Sequence, residues 1–402
     1  MHIVQFDPSK FNHQHVICGG YSYHYVDEGN KAGIAVILIH GFPDLWYGWR
    51  HQIQFLVGLG RYRVIALDML GYGGSDKPRS ADLATDTDPT ECHYHHNPAY
   101  SPRNVASHVV ALLDHLGVEK TVLVGHDWGT GIVSRVGWHF PDRVLAAIAI
   151  GNPFRPITKE LMTINDYVNE NPAFQYFEHF VSPEAVQDFD ERVGCLYRFL
   201  LLCVSMPSTY DIMIPGRMLH DRSKILPMNS YYLSSLKRGG FHGPLAYYKT
   251  FKASHQEEQC ISLLYHSFAI PTLLLIVNND PILHPEYCLQ VPKDYFDNLE
   301  IDYVETGEHW ILTQNPDTVN RKLERYLGKI SSSFDYQARK STPSIKSTIG
   351  SLVRRRTSAV LRIPAVAAGE TDFKNWSSVP GGSSSSAKRI RATEHGHILS
   401  KL

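Results

Sequence analysis

A chain of 402 residues that is 43% hydrophobic and carries a formal net charge of −1 can bury one large core or two smaller ones, and reads as an ordinary soluble globular protein. Its 39 basic and 40 acidic residues balance, leaving no basic stripe for a nucleic-acid partner. No apolar run reaches membrane-span length, and residues 1–10 lack the basic-then-apolar order of a signal peptide. The cysteines Cys18, Cys92, Cys195, Cys203, Cys260 and Cys288 are scattered with no Cys-x-x-Cys pair, which predicts a reducing intracellular setting.

In chain order, the runs Ile34–Ile39, Val64–Leu67, Thr121–Val124, Val144–Ile150 and Thr272–Val277 predict interior strands. Helical spacing over Tyr47–Leu59, Val105–Leu116 and Ile132–Phe140 separates them. This alternation predicts an α/β chain with a mostly parallel sheet covered by helices on both faces. Between Ile150 and Pro271 the pattern turns to helical segments rich in Tyr, Phe, His and Met. That stretch predicts an inserted helical cap over the carboxyl edge of the sheet, where ligands bind in such folds. The expected organisation is a core in two parts, 1–154 and 269–330, a cap at 155–268 and a tail at 331–402. Arg79–Pro102 reads as a mobile surface loop, because Cys92, His93, His95 and His96 match no zinc-ligand spacing. The tail from Ser331, rich in Ser, Arg, Lys, Gly and Thr and including Ser383–Ser386, offers too little apolar surface to order.

The chemistry begins at Thr121-Val122-Leu123-Val124-Gly125-His126-Asp127-Trp128-Gly129. A buried strand leads into a helix across a turn flanked by glycines, which presents Asp127 as a nucleophile elbow does, with aspartate where serine is commoner. An aspartate there attacks a saturated carbon and leaves as an ester. The plainer reading is a helix N-cap, so the rest of the constellation decides. The strand Ile34–Ile39 runs into His40-Gly41-Phe42-Pro43. The backbone N–H groups of Phe42 and Trp128 are the expected oxyanion donors. Beyond Thr272–Val277 stands Asp280, and beyond Tyr303-Val304 stands His309. Singly, each is a loop-capping aspartate or a surface histidine. In the order nucleophile, acid, histidine, they predict a triad in which His309 is the base and Asp280 orients it.

At these residues the chain resembles the α/β-hydrolase-fold epoxide hydrolases, the soluble type above all, over about residues 15–330. The resemblance rests on His40-Gly41-Phe42-Pro43, Gly71-Tyr72-Gly73-Gly74-Ser75, Gly125-His126-Asp127-Trp128-Gly129, Asp280 and His309-Trp310. Two further segments are similar to the family's tyrosine-bearing cap motifs. Asn171-Pro172-Ala173-Phe174-Gln175-Tyr176 places one tyrosine at Tyr176, and Gly240-Phe241-His242-Gly243-Pro244-Leu245-Ala246-Tyr247-Tyr248-Lys249 places the other at Tyr248 by motif register. The resemblance departs at Glu308, where the family usually has glycine.

The resemblance implies hydrolysis of an epoxide to a vicinal diol through a covalent ester on Asp127. Tyr176 and Tyr248 would polarise the ring oxygen, and His309 would activate water. No metal or organic cofactor is implied, and the expected partners are a small-molecule epoxide and water. Phe42, Trp128, Phe174 and Tyr247 are the expected substrate-binding residues, with Phe177 and Met218 as further cleft candidates. A haloalkane or haloacid dehalogenase also uses an aspartate elbow, but those usually carry Asn or Glu at Phe42, or arginine at Trp128. A non-catalytic ligand-binding homologue is a further reading. Ser400-Lys401-Leu402 is the tripeptide read by the peroxisomal import receptor, so the expected address is peroxisome, cytoplasm or both. A monomer or homodimer is expected.

Overall fold

The computed structural model describes residues 6–79, 99–154, 161–191, 193, 230–259, 267–291 and 293–341. The chain divides at Lys340 into two units, and the first of them carries the sheet and its helices. Most of the loop Arg79–Pro102, with Cys92, His93, His95 and His96, falls outside the described residues. So do Met218, the tail beyond Ser341 and Ser400-Lys401-Leu402.

Eight strands form one sheet: β1 (His13–Cys18), β2 (Tyr21–Gly29), β3 (Ile34–Ile39), β4 (Tyr62–Leu67), β5 (Thr121–His126), β6 (Val144–Ile150), β7 (Thr272–Val277) and β8 (Leu299–Val304). Their spatial order is β1-β2-β4-β3-β5-β6-β7-β8. The β1–β2 and β2–β4 pairs are antiparallel, and every pair from β4 to β8 is parallel. The continuous apolar runs sit where the sheet is covered on both faces: all six residues of β5 and of β7 are buried. The strand pair β1–β2 was not among the expected elements. Its residues His13, Gln14 and His15 face solvent, so no apolar run marked it.

The crossovers begin with α1 (Arg50–Gly58), α2 (Pro102–His115) and α3 (Trp128–His139). Between β6 and β7 the described residues form α4 (Ile164–Glu170), α5 (Tyr176–Phe180), α6 (Ser230–Gly239), the short helix His242–Ala246 with the 3-10 turn Tyr247–Lys249, and α7 (Phe251–Gln259). The described residues of this segment are helical and add no strand to the sheet. After β8 comes α8 (Pro316–Ser341), which corrects the expectation that order ends at Ser331. Buried Val319, Leu323, Tyr326, Leu327 and Ile330 hold its inner face, and the helix then runs on past the last of them.

This topology locates the ligand crevice. The chain steps from β3 outward to β4, then returns across β3 to place β5 on the other side. Neighbouring loops after β3 and β5 thus diverge, which opens a cleft at the carboxyl ends of these two strands. The first loop carries Phe42 and the second carries Asp127.

Candidate active site

Asp127 stands between the last residue of β5 and the first of α3, at φ 53° and ψ −125°. Among the described residues it is the one non-glycine with positive φ. Such a backbone costs on the order of 1–3 kcal/mol and persists only where its surroundings impose it. Its carbonyl accepts from Thr130 N (3.0 Å), Thr130 Oγ1 (2.8 Å) and Asn152 Nδ2 (3.2 Å). Asp127 does hold the N-cap position of α3, but its side chain makes no capping bond there. Two glycines permit the turn. A Cβ on Gly129 would stand 2.1 Å from the Ile39 carbonyl oxygen, and one on Gly41 would stand 2.2 Å from Asp127 Oδ1.

The carboxylate is aimed at two backbone donors. Phe42 N–H donates to Asp127 Oδ1 at 2.7 Å, and Trp128 N–H also donates to the carboxylate. These are the donors predicted for an oxyanion. His40-Gly41 is also a tight turn, with His40 Nδ1 bonded to the Gly41 carbonyl and Nε2 accepting from Met69 N. Burial raises the Asp127 pKa, and the His309 charge with the two N–H bonds works against that rise.

His309 Nε2 lies 3.9 Å from Asp127 Oδ2, beyond hydrogen-bond distance. On its other side, Nδ1 meets Asp280 Oδ2 at 2.9 Å. Asp280 Oδ1 accepts from Ile282 N and Leu283 N, each at 2.9 Å, so the acid is fixed by its own turn. Burial pushes His309 down, but the Asp280 charge and bond, then the Asp127 charge, raise it to about 9. Asp280 is held below its usual value: burial opposes this, and His309 with the two backbone donors prevails. Glu308 does not disturb the loop, since its N–H donates to Gln314 Oε1 at 2.8 Å. Sequence reasoning missed His126, whose ring bonds the His309 carbonyl at 2.9 Å. Burial and the His309 charge lower it to about 3, so it is a neutral prop.

The insertion brings Tyr176 and Tyr248 together above this carboxylate. Their ring centroids are 6.3 Å apart and their hydroxyls share a hydrogen bond. The Trp128 side chain hydrogen-bonds Tyr248, with the two rings 4.9 Å apart. Burial raises both phenols well above their ordinary value, as does the nearby Asp127 charge. Both are therefore protonated donors at neutral pH. Each had core packing as its plainer explanation; packing and proximity to Asp127 hold together here.

Two expected substrate-binding residues are corrected. Tyr247 does not face the cleft: its hydroxyl donates to the Leu70 carbonyl at 3.0 Å and its ring packs on Tyr72 and Tyr100. Consecutive residues of a 3-10 turn point roughly 120° apart, so with Tyr248 turned inward Tyr247 is turned away. Phe42 reaches the site by its backbone alone, because its ring is enclosed by Phe180, Phe189, Phe241 and Tyr248. Trp128, Phe174 and Phe177 do line a cavity of about 370 Å³ that opens beside Asp127 and Tyr176. The sequence reading did not find Arg135 or Glu258, which also line it.

A sequence model for the alpha/beta hydrolase fold matches residues 34–316, and the chain belongs to that family. Within it, the chain is similar to proteins named as epoxide hydrolases. It is 28% identical over 341 residues to the pig bifunctional epoxide hydrolase 2, covering 80% of this chain and 56% of the relative. It is 29% identical over 325 residues to mouse epoxide hydrolase 4, covering 80% and 81%. It is 30% identical over 258 residues to epoxide hydrolase 2 of Siraitia grosvenorii, covering 60% and 73%. The chain thus spans little more than half of the bifunctional relative. Among solved structures, epoxide hydrolase A from Mycobacterium thermoresistibile aligns with a TM-score of 0.63 at 24% identity, over 79% of this chain and 98% of that one. Potato epoxide hydrolase I aligns with a TM-score of 0.64 at 22% identity, over 80% and 100%. These two likenesses establish the fold.

Proposed function

We propose that the chain hydrolyses epoxides to vicinal diols through an ester on Asp127. One observation carries the reading: a strained aspartate, free of any capping bond, points between two backbone N–H donors and a pair of protonated phenols. The helical insertion acts as the cap that supplies those phenols. An Asp127 carboxylate oxygen attacks an epoxide carbon and the ring C–O bond breaks. The departing oxygen, a far stronger base than a phenolate, takes its proton from the Tyr176–Tyr248 pair. A halide leaves without a proton donor, so the paired phenols favour an epoxide over a carbon–halogen bond.

Water then attacks the ester carbonyl while His309 Nε2 takes its proton. The oxyanion forms where Phe42 and Trp128 N–H already bind the carboxylate, so no reorganisation is needed at that moment. Collapse breaks the acyl C–O bond, the proton on His309 passes to the departing alkoxide, the acid left on Asp127 gives up its proton to restore the phenol, and the diol leaves. His309→Gln removes the base for the second step alone. With styrene oxide, that variant is expected to gain the mass of one substrate on Asp127 and to turn over roughly 1,000-fold more slowly or worse. In the unaltered protein, a single turnover in oxygen-18 water must label Asp127 before the diol. Label reaching the diol directly, or styrene oxide activity surviving Asp127→Ala, overturns the reading.

A further inference from the structure

Asp127 supplies the site with a carboxylate and with the peptide bond that joins it to Trp128. A trans peptide is planar, so the Asp127 carbonyl and the Trp128 N–H share a plane and point in opposite directions. Whatever holds the carbonyl therefore aims the N–H, which is one of the two backbone donors on the carboxylate. Three donors converge on that carbonyl oxygen. Thr130 N–H, at 3.0 Å, makes a main-chain bond that any residue at the start of α3 would make. The other two are side chains: Thr130 Oγ1 donates at 2.8 Å and Asn152 Nδ2 at 3.2 Å.

Each side chain has a plainer explanation. A threonine in a helix commonly bonds a carbonyl one turn back, and an asparagine in a loop commonly closes its own turn. Neither accounts for the convergence. The carbonyl that Thr130 reaches belongs to the one described non-glycine residue with positive φ, not to an ordinary helical turn. Asn152 comes from another element, beyond the end of β6, where Gly151 at φ 78° turns the chain. Its amide crosses to the nucleophile instead of bonding its own loop. Thr130 is fully buried, whereas Asn152 is half-buried on the wall of the cavity beside Asp127. Bonds accepted by a carbonyl also polarise its peptide and strengthen the N–H at the other end.

The two chemical steps use that N–H in opposite senses. During ester formation negative charge leaves the carboxylate, so a donor bound to it gives the attack no help. During ester hydrolysis negative charge returns to the same carboxyl group, and the bond from Trp128 N–H strengthens toward the transition state. We propose that Thr130 and Asn152 are positioning residues for this oxyanion donor, acting through the Asp127–Trp128 peptide on hydrolysis of the ester and not on its formation. This rests on the ester reading of Asp127.

Rapid-quench mass spectrometry of a single styrene oxide turnover gives the two rate constants separately. Thr130→Val keeps the branched shape and removes the hydroxyl. It is expected to slow ester hydrolysis about tenfold, a fraction of the cost of losing an oxyanion donor outright, and to change ester formation by less than about threefold. Asn152→Ala is expected to act in the same direction, so ester accumulates in both variants. Thr130→Ser returns the hydroxyl and is expected to bring hydrolysis back to within about threefold of the unaltered protein. If the buried Thr130→Val change prevents folding, Asn152→Ala at its half-exposed position carries the same test. A packing role would slow both steps together. Equal loss in both steps, loss confined to formation, or hydrolysis unmoved in either single variant overturns the assignment. His309→Gln separates the two levels: if it carries the substrate mass on Asp127 while the other variants show no selective loss, only the positioning assignment fails. If no protein of the set carries that mass on Asp127, the ester reading falls and the assignment with it.

Discussion

Asp127 and His309 are coupled by charge although they are not hydrogen-bonded, being 3.9 Å apart. His309 is raised to about 9, with burial opposing the rise and the two carboxylates driving it. At neutral pH the resting imidazole is therefore protonated and cannot serve as a base. In the proposed reaction esterification changes that, because Asp127 loses its negative charge and one of the attractions on the imidazolium disappears. The base is released by the step that creates its substrate. Asp127→Asn mimics the neutral ester at that position. The His309 ring, followed by NMR in that variant, is expected to titrate below 9 by about one unit or more. A titration still at about 9 would assign the shift to Asp280, with the Asp44 charge, and remove this coupling. The sign for stability follows the same group. Its folded pKa lies above the ordinary 6.5, so its contribution is complete below that value and is lost as pH rises through about 9.

At the scale of elements, the insertion is tied to Asp280 through one residue, Ile282. Asn171 Nδ2 donates to the Ile282 carbonyl at 2.9 Å, while Ile282 N–H donates to Asp280. Asn171 Oδ1 also caps the 3-10 turn Pro172–Gln175 that leads into α5 and Tyr176. The acid and one phenol thus share a support. Replacing Tyr176 or Tyr248 by phenylalanine is expected to slow ester formation by about 100-fold each, and the pair together to abolish it within detection. Deacylation of ester already formed should change little, so single-turnover kinetics separate the two steps. Equal loss in both would assign the phenols a packing role. Much of this layout was legible in the chain. Apolar runs gave the parallel strands because both their faces are buried, and the triad followed from residues at strand ends. Tyr247 and Tyr248 could not be told apart by chemistry, since only the turn of the backbone decides which ring faces Asp127. Strand β1 escaped because it is an edge strand that carries polar residues, and β2 escaped because its buried positions are filled mostly by Tyr23, His24, Tyr25 and Asp27 rather than by an aliphatic run. Arg135 and Glu258 escaped because an ion pair between two distant helices leaves no local pattern.

Across the sheet that gathers these groups and the helices that wrap it stand four buried or half-buried histidines held neutral. Burial lowers His51, His108 and His139 to about 4, and burial with the His309 charge lowers His126 to about 3. Each is a base whose folded pKa lies below 6.5, so between about pH 6.5 and 4 the unfolded chain binds protons that the folded chain refuses. Their contribution is present above that window and is lost as pH falls through it. Glu257 acts with the opposite sign. Burial raises it to about 7, so the folded chain holds a proton there that the unfolded chain releases above about 4.5. Four histidines less one carboxyl leave a net uptake of about two to three protons on unfolding near pH 5.5, since each group is only partly titrated there. The slope of unfolding free energy against pH, measured in urea between pH 5 and 6, reports that number directly. His108→Asn, which keeps a polar partner for the Tyr23 hydroxyl that His108 Nδ1 meets at 2.9 Å, is expected to lower the uptake by about one proton. It leaves the triad untouched, so a shallower slope with the His309 titration unchanged assigns the acid lability to the wrapped histidines. An unchanged slope would clear His108 of that role; the paired carboxylates Asp27, Asp68 and Asp280, which are lowered by their partners, lose their contribution only at lower pH, below their ordinary value, and do not enter this window.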